Sequence, residues 1–192
     1  MTEDPIARFQ EEFARAEIKE TIDVNAVALA TCTPDGKPSV RYVLLKGADQ
    51  DGFVFYTNAE SRKGRELAAN PHAALAFFWP TIYVQARVEG TITKVSAEES
   101  DEYFATRARD SQLGAWASQQ SRLLSSREAL DHAFEDYRVR FGDGPIPRPP
   151  YWGGYCLKPT RIEFWYGKPN RLHDRHVFLR EGSGWREERL YP

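Results

Sequence analysis

With only two cysteines in 192 residues, Cys32 and Cys156, the chain has no basis for a disulfide framework. Its stability must come from a core, and a chain of this length buries enough apolar surface to need neither a metal nor a disulfide staple. Long apolar runs are missing too. The longest, residues 73–80, falls far short of the roughly 20 residues of a membrane-spanning helix. Neither sign of charge is in excess: 26 Lys plus Arg against 28 Asp plus Glu leave a net charge of -2, which argues against a dedicated nucleic-acid binder. The first residues carry Glu3, Asp4, Glu11 and Glu12 with no apolar h-region. That gives a signal peptide no support and leads to the expectation of a cytoplasmic protein.

Several familiar motifs are also absent. Neither G-x-G-x-x-G nor G-x-x-x-x-G-K-[ST] occurs, so nucleotide sites of the Rossmann or P-loop kind have no support. His72, His132, His173 and His176 with two distant cysteines show no zinc spacing, and no metal is expected. There is no G-x-S-x-G nucleophile elbow. An enzyme made from this chain would lean on a bound organic cofactor.

What is present reads as mainly β with inserted helices, in one domain over residues 1–192. Asp4-Pro5 is an N-cap with proline at the first helical position, and Ile6, Phe9 and Phe13 then share one face, in a helical segment within residues 1–24. Alternation predicts strands over 26–32, 37–46, 52–56, 73–79, 83–95, 152–157, 161–165, 173–180 and 184–189, the last four within a C-terminal section over 151–192. Thr33-Pro34-Asp35-Gly36 turns the first pair into a hairpin. Helices are predicted from Ser61 to Ala69, from Ser96 to about Arg107 with a Ser96/Glu99 capping box, and from Ser125 to Phe141 with a Ser125/Glu128 box.

Four groups of basic residues need an explanation. Arg41 and Lys46 end an apolar strand and by alternation face opposite sides unless a bulge intervenes; snorkelling to water explains them equally well. Ser61 as N-cap puts Arg62 and Lys63 in a first turn that is already positive, which favours either a bound anion such as phosphate or a merely solvated end. Tyr103, Arg107 and Ser111 fall on one helix face, or Ser111 caps a following helix if the first breaks near Arg109-Asp110. As a strand, 171–175 would set Arg171, His173 and Arg175 on one side, bound to a ligand or balanced by cross-strand carboxylates such as Glu163 or Glu187.

These residues stand in an order that resembles the FMN-dependent pyridoxine/pyridoxamine 5′-phosphate oxidases, from about Asn25 to Pro192. The matching blocks are Arg41-x-Val43-Leu44-Leu45-Lys46, Phe55-Tyr56-Thr57-Asn58, Ser61-Arg62-Lys63, Gln85, Arg109-Asp110-Ser111-Gln112-Leu113-Gly114-Ala115-Trp116, Gln120-Ser121, Trp152-Gly153-Gly154-Tyr155, Glu163-Phe164-Trp165, Arg171-Leu172-His173-Asp174-Arg175 and Arg189-Leu190-Tyr191-Pro192. The resemblance implies an FMN-binding split β-barrel with peripheral helices, and a homodimer with two active sites at its interface. It implies oxidation of the substrate's C4′ to an aldehyde with O2 as final acceptor.

Carried over by position, the FMN contacts would be Arg41, Tyr42, Val43, Leu44, Leu45, Lys46, Tyr56, Thr57, Arg62, Lys63, Gln85, Gln120, Ser121, Trp165 and Arg175. Lys46, Tyr103, Arg107 and Ser111 would cradle the substrate phosphate, and Arg171 and His173 would lie over the reacting carbon. The chain departs from the family pattern at Val84, where arginine is common, at Tyr166, where glutamine is common, and in having no basic, aromatic leader before Asp4. Two alternatives stay open: an oxidase of the phenazine-pathway type, and a non-catalytic flavin- or pyridoxal-phosphate-binding protein. Trp116 and Trp152 are read as core or interface residues.

Overall fold

The structure is a computed structural model that describes residues 3–192. Strands β1 (Ala26–Cys32) and β2 (Pro38–Asp49) form the expected hairpin, with Gly36 at φ +81° in its turn. They are followed by β3 (Gly52–Asn58), β4 (His72–Trp79), β5 (Val84–Lys94), β6 (Trp152–Tyr166), β7 (Asp174–Glu181) and β8 (Gly184–Arg189). The sheet order is β3-β2-β1-β4-β5-β6-β7-β8, and β3 also pairs with β6. That extra pairing closes six strands into a barrel.

Strand β6 is what splits the barrel. The first half of one of its edges pairs with β3, from Trp152 opposite Asn58 to Leu157 opposite Phe53; the second half pairs with β7, from Arg161 to Tyr166. The sequence reading had two strands here. They run together because Pro159, which has no N–H to give a ladder, sits at a register shift opposite Gly90. A Cβ on Gly90 would collide with the Lys158 carbonyl, so glycine is needed for the close approach.

The barrel core is aromatic and aliphatic: Phe53, Phe55, Phe77, Trp79, Leu29, Leu75 and Leu157 are fully or almost fully buried. Helix α1 (Pro5–Lys19), capped by the Asp4 carboxylate accepting from the Ile6 N–H, packs onto this core. Its Phe9 ring meets Phe53 and Phe77 edge-on at 4.8 and 5.0 Å. Tyr166, one of the departures from the family pattern, ties this helix to β6: its hydroxyl accepts from Arg8 Nε and donates to Glu12.

Helix α2 (Arg62–Ala69) follows β3, and α3 (Ala97–Ala105), α4 (Arg109–Ala117) and α5 (Arg127–Phe141) fill the gap between β5 and β6. The Ser96/Glu99 capping box is present. The third cap is one residue later than expected, on Ser126, whose Oγ accepts from the Ala129 N–H. Of two adjacent serines the second closes the turn, leaving Glu128 in the first turn where the helix dipole favours an acid. A separate small core of Phe104, Leu113, Ile146 and Trp152 packs α3 and α4 against the start of β6.

The outward face of the sheet is unusually apolar. Val40, Tyr42 and Leu44 on β2 are 69, 76 and 43% exposed. They stand opposite Ala30, Ala28 and Ala26, which continue into Ala74 and Ala76 on β4. None of the described helices is long and apolar enough to cross a membrane.

Candidate active site

A cleft of about 740 Å³ opens between β2, the end of β3, the start of α2 and the α3–α4 junction. It gathers Arg41, Tyr42, Val43, Leu44, Lys46, Tyr56, Thr57, Lys63, Tyr103, Arg107, Ser111 and Gln120 from the sequence-derived set. Arg41 and Lys46 share it because the cleft takes residues from both faces of β2, Arg41 and Val43 from one and Tyr42, Leu44 and Lys46 from the other. Strand β2 is also bulged past Leu45, which pairs with Phe55 while Gly47 pairs with Val54. Leu45 itself turns into the core at 6% exposure.

Lys63 is the most buried cation of the cleft, 7% exposed. Ser61 caps α2 through the Gly64 N–H, so Lys63 lies in the first turn, and its ammonium reaches Gln120 Oε1 (2.9 Å), Thr57 Oγ1 (3.0 Å) and Ser61 Oγ (3.2 Å). All three partners are neutral. Burial, helped by the Arg41 charge, pushes the Lys63 pKa down to about 8.

Arg107 sits in the short break between α3 and α4, so the uninterrupted helical face over 103–111 does not form. Tyr103 lies in the last turn of α3, Ser111 lies in the first turn of α4, and Ala108 stands at the N-cap of that helix with no side-chain cap. The Arg107 Nη1 is buried without a hydrogen-bond partner among the described residues, and burial pushes its pKa down. Its carbon Cζ lies 4.9 Å from the centre of the Trp152 ring. Tyr56, Tyr103 and Trp152 form a near-parallel set, with Tyr56 and Tyr103 centroids 4.0 Å apart.

Glu66 is the acid at the cleft's rim. It pairs with Arg62 (2.8 Å) and Arg41 (3.3 Å) and accepts from Ser39 and Thr31. Burial would raise its carboxyl, but the hydrogen bonds from Ser39, Thr31 and Arg62 prevail and hold it at about 2. Arg62 is thus directed to Glu66, and its side chain remains 60% exposed. Ser121, next to Gln120, is exposed and takes φ +69° outside the cleft lining.

The remaining residues of the set lie elsewhere on the sheet. Gln85 on β5, Trp165 on β6 and Arg175 on β7 stand in register across three strands. None of them lines the cleft. The His173 ring lies 4.4 Å from that of Trp165, and its Nδ1 accepts from the Lys168 N–H at 3.1 Å, so Nε2 is the ring nitrogen left to donate.

The expected strand over 171–175 is corrected here: Pro169–Arg171 is a 3-10 turn, Asn170 and Arg171 take φ +59° and +61°, and β7 begins only at Asp174. Pro169 and Asn170 supply the turn chemistry that displaces the strand. Arg175 is held by a cross-strand carboxylate: it donates to Glu163 (2.8 Å) and to the Tyr191 carbonyl (3.0 Å). Glu163 is fully buried and also binds Arg87 and Arg161. Burial would raise its carboxyl, but the three arginines outweigh burial and hold it below the usual range.

Sequence reasoning named Glu163 as a cross-strand partner but missed Glu66, and it read Trp152 as a core or interface residue rather than as part of the cleft lining. The signals for Trp152 were its place at the start of a predicted strand and in the Trp152-Gly153-Gly154-Tyr155 block.

Comparison with known proteins matches two family models: pyridoxamine 5′-phosphate oxidase over residues 14–141, and the pyridoxine 5′-phosphate oxidase C-terminal dimerisation region over 152–192. A curated pyridoxine/pyridoxamine 5′-phosphate oxidase of Rubrobacter xylanophilus is 56% identical over 189 residues, covering 98% of this chain and 87% of that protein. One from Sphingopyxis alaskensis is 54% identical over 192 residues, covering 100% and 89%. Among solved structures, PhzG from Burkholderia lata in complex with tetrahydrophenazine-1-carboxylic acid has a TM-score of 0.94 at 32% identity, covering 100% of this chain and 94% of that one. A pyridoxamine 5′-phosphate oxidase-related, FMN-binding protein from Nostoc punctiforme shares the fold, with a TM-score of 0.78 at 18% identity and full coverage of both chains. With one family model spanning two thirds of its length and curated relatives above half identity over nearly all of it, the chain belongs to the pyridoxine/pyridoxamine 5′-phosphate oxidase family of oxidoreductases.

Proposed function

We propose that this protein uses FMN to oxidise pyridoxamine 5′-phosphate, pyridoxine 5′-phosphate or both to pyridoxal 5′-phosphate, with O2 as the final acceptor. Hydrogen peroxide is released, and for the amine substrate water enters and ammonia leaves. The carrying observation is that Lys63 and Arg107, two desolvated cations in one cleft, have no carboxylate partner among the described residues. A buried charge left without a counter-ion is costly, and a phosphate dianion removes that cost. Two such sites in one cleft suit a cofactor and a substrate that each end in a phosphate. The names of the curated relatives support the same substrate class.

In this reading Lys63, Thr57 and Gln120 hold the phosphate end of FMN, with Arg41, Tyr42, Val43, Leu44 and Tyr56 along it. Lys46, Tyr103, Arg107 and Ser111 hold the substrate phosphate. The bound flavin supplies the two-electron acceptor. The protein's own groups fix the geometry and exclude water from it. Gln85, Trp165, Arg171, His173 and Arg175 complete the site from a second copy of the chain. The apolar face built from Val40, Tyr42, Leu44 and the alanines of β1 and β4 lies between the two groups and supports face-to-face association, as does the match to a dimerisation region. His173 then offers an Nε2–H donor over the reacting carbon, and Arg171 orients the ring.

The likeness to PhzG supports a second reading, in which the cleft takes a tricyclic acid without a phosphate. One experiment separates the readings. A yellow dimer whose colour bleaches anaerobically with pyridoxamine 5′-phosphate, and which forms peroxide when air is admitted, is expected. Bleaching only by a dihydrophenazine acid favours the second reading, and a coloured protein inert to both is a flavin-binding protein without this activity.

A further inference from the structure

We propose that Trp152 is a positioning residue that holds Arg107 ready for a phosphate, and so sets the protein's preference for phosphorylated over unphosphorylated ligands. This rests on the functional reading above. Trp152 is the first residue of β6, 7% exposed, and lines the cleft. Its ring adjoins both halves of the cleft, lying 5.4 Å from Tyr56 on the proposed cofactor side and 6.2 Å from Tyr103 on the substrate side. Arg107 Cζ lies 4.9 Å from its centre, closer than the 5.7 Å to Phe104.

The physical need is specific. An arginine in a short inter-helix break, with one buried Nη1 and no hydrogen-bond partner there, would otherwise turn to water. A carboxylate would hold it in place, but would also occupy its N–H groups and cancel its charge. An indole face attracts the cation through its quadrupole and leaves the N–H edge unused. That edge is what a phosphate needs, in the fork geometry that makes arginine suited to it. Trp152 is itself anchored through its backbone. Its carbonyl accepts from Arg148 Nη1 (2.6 Å), Arg148 Nε pairs with Asp101 of α3 (2.7 Å), and its backbone N–H donates to the Pro149 carbonyl (3.0 Å). The platform therefore moves with the helix that carries Tyr103.

The test uses the flavin-loaded protein and two ligands with a methyl group at C4 that cannot be oxidised, 4-deoxypyridoxine and its 5′-phosphate. Their dissociation constants are measured by equilibrium titration for wild type, Trp152→Leu and Trp152→Phe, with KM and kcat for pyridoxamine 5′-phosphate alongside. In Trp152→Leu the phosphate ester should bind about tenfold more weakly, since loss of a desolvated cation–π contact is worth roughly that factor, while the free alcohol changes less than about twofold. Trp152→Phe should fall between, because phenylalanine keeps the ring but is the weaker partner. KM should rise by the same factor, with kcat within about twofold of wild type.

Equal weakening of both ligands would mean that Trp152 only supports the pocket, and would overturn the proposal, as would an unchanged ester affinity in Trp152→Leu. If the leucine variant does not fold, Trp152→Phe decides the matter, with about threefold loss for the ester alone as the expected result. A wild-type protein that binds ester and alcohol equally has no phosphate cradle, and its functional reading falls before any variant is made. A wild-type preference that survives in both variants removes Trp152 alone.

Discussion

Two parts of this sheet concentrate positive charge, and they treat it in opposite ways. Around Glu163, three arginines converge on one fully buried carboxylate, and Glu89 takes a further bond from Arg161. In the cleft, Lys63 meets only neutral oxygens and Arg107 meets a ring. The first region carries its own counter-ions. The second leaves them to a ligand, and so the pairing of each cation, rather than the number of cations, marks the binding site. Arg175 joins the two cases: a residue of the proposed cofactor site whose position is set by the internal acid.

The largest effect that could break this contrast is on stability. Glu163→Gln leaves three arginine side chains, 24 to 39% exposed, around a neutral amide. A loss of about 2–4 kcal/mol is expected, at the lower end of what breaking a buried pair costs because the arginines reach water. Urea unfolding with the midpoint unmoved would show that the cluster is not held by its acid.

Arg107→Ala should do the reverse. It removes no carboxylate contact, so unfolding should shift by less than about 1 kcal/mol. KM for pyridoxamine 5′-phosphate should instead rise ten- to a hundredfold, the worth of about 1.5–3 kcal/mol of charge-assisted hydrogen bonding. Unchanged kinetics in this variant would take Arg107 out of the phosphate cradle.

The smallest effect sharpens the comparison through pH. The folded-state pKa of Lys63 is lowered from the ordinary lysine range to about 8. The unfolded chain therefore holds this proton more tightly than the folded one between about pH 8 and the ordinary lysine value near 10.4. The charged ammonium costs the ligand-free fold stability below pH 8, and that cost is relieved as pH rises through the window. Phosphate binding should run the other way, weakening as pH passes 8 and the ammonium is lost. Titrating the flavin-free protein with FMN across pH 7–10 checks this, and Lys63→Met should flatten the profile.

Much of the fold was legible because its signals are local. Asp4-Pro5, Thr33 to Gly36, Ser61 and the Ser96/Glu99 box each close a turn within a few residues, and all four form as read. The Ser125/Ser126 choice and the halves of β6 were misread where neighbours decide, through which serine closes the turn and through Gly90 letting the strand pass Pro159. The candidate site was legible as residue types in order, but not as geometry. Arg41 and Lys46 line one cleft only because it takes residues from both faces of β2, and Arg171 leaves the strand pattern at a turn made by Pro169 and Asn170.

The order of motifs, the balance of charge and the alternation of apolar residues were properties of the chain itself. They determined a mainly β protein of this oxidase family with a surplus of cations to place. Which cations stay unpaired was decided only on folding. Counter-ions such as Glu66 and Glu163 lie 25 and 12 residues from arginines they bind. The strength of an ion pair depends on separation and burial, neither of which is written in sequence distance.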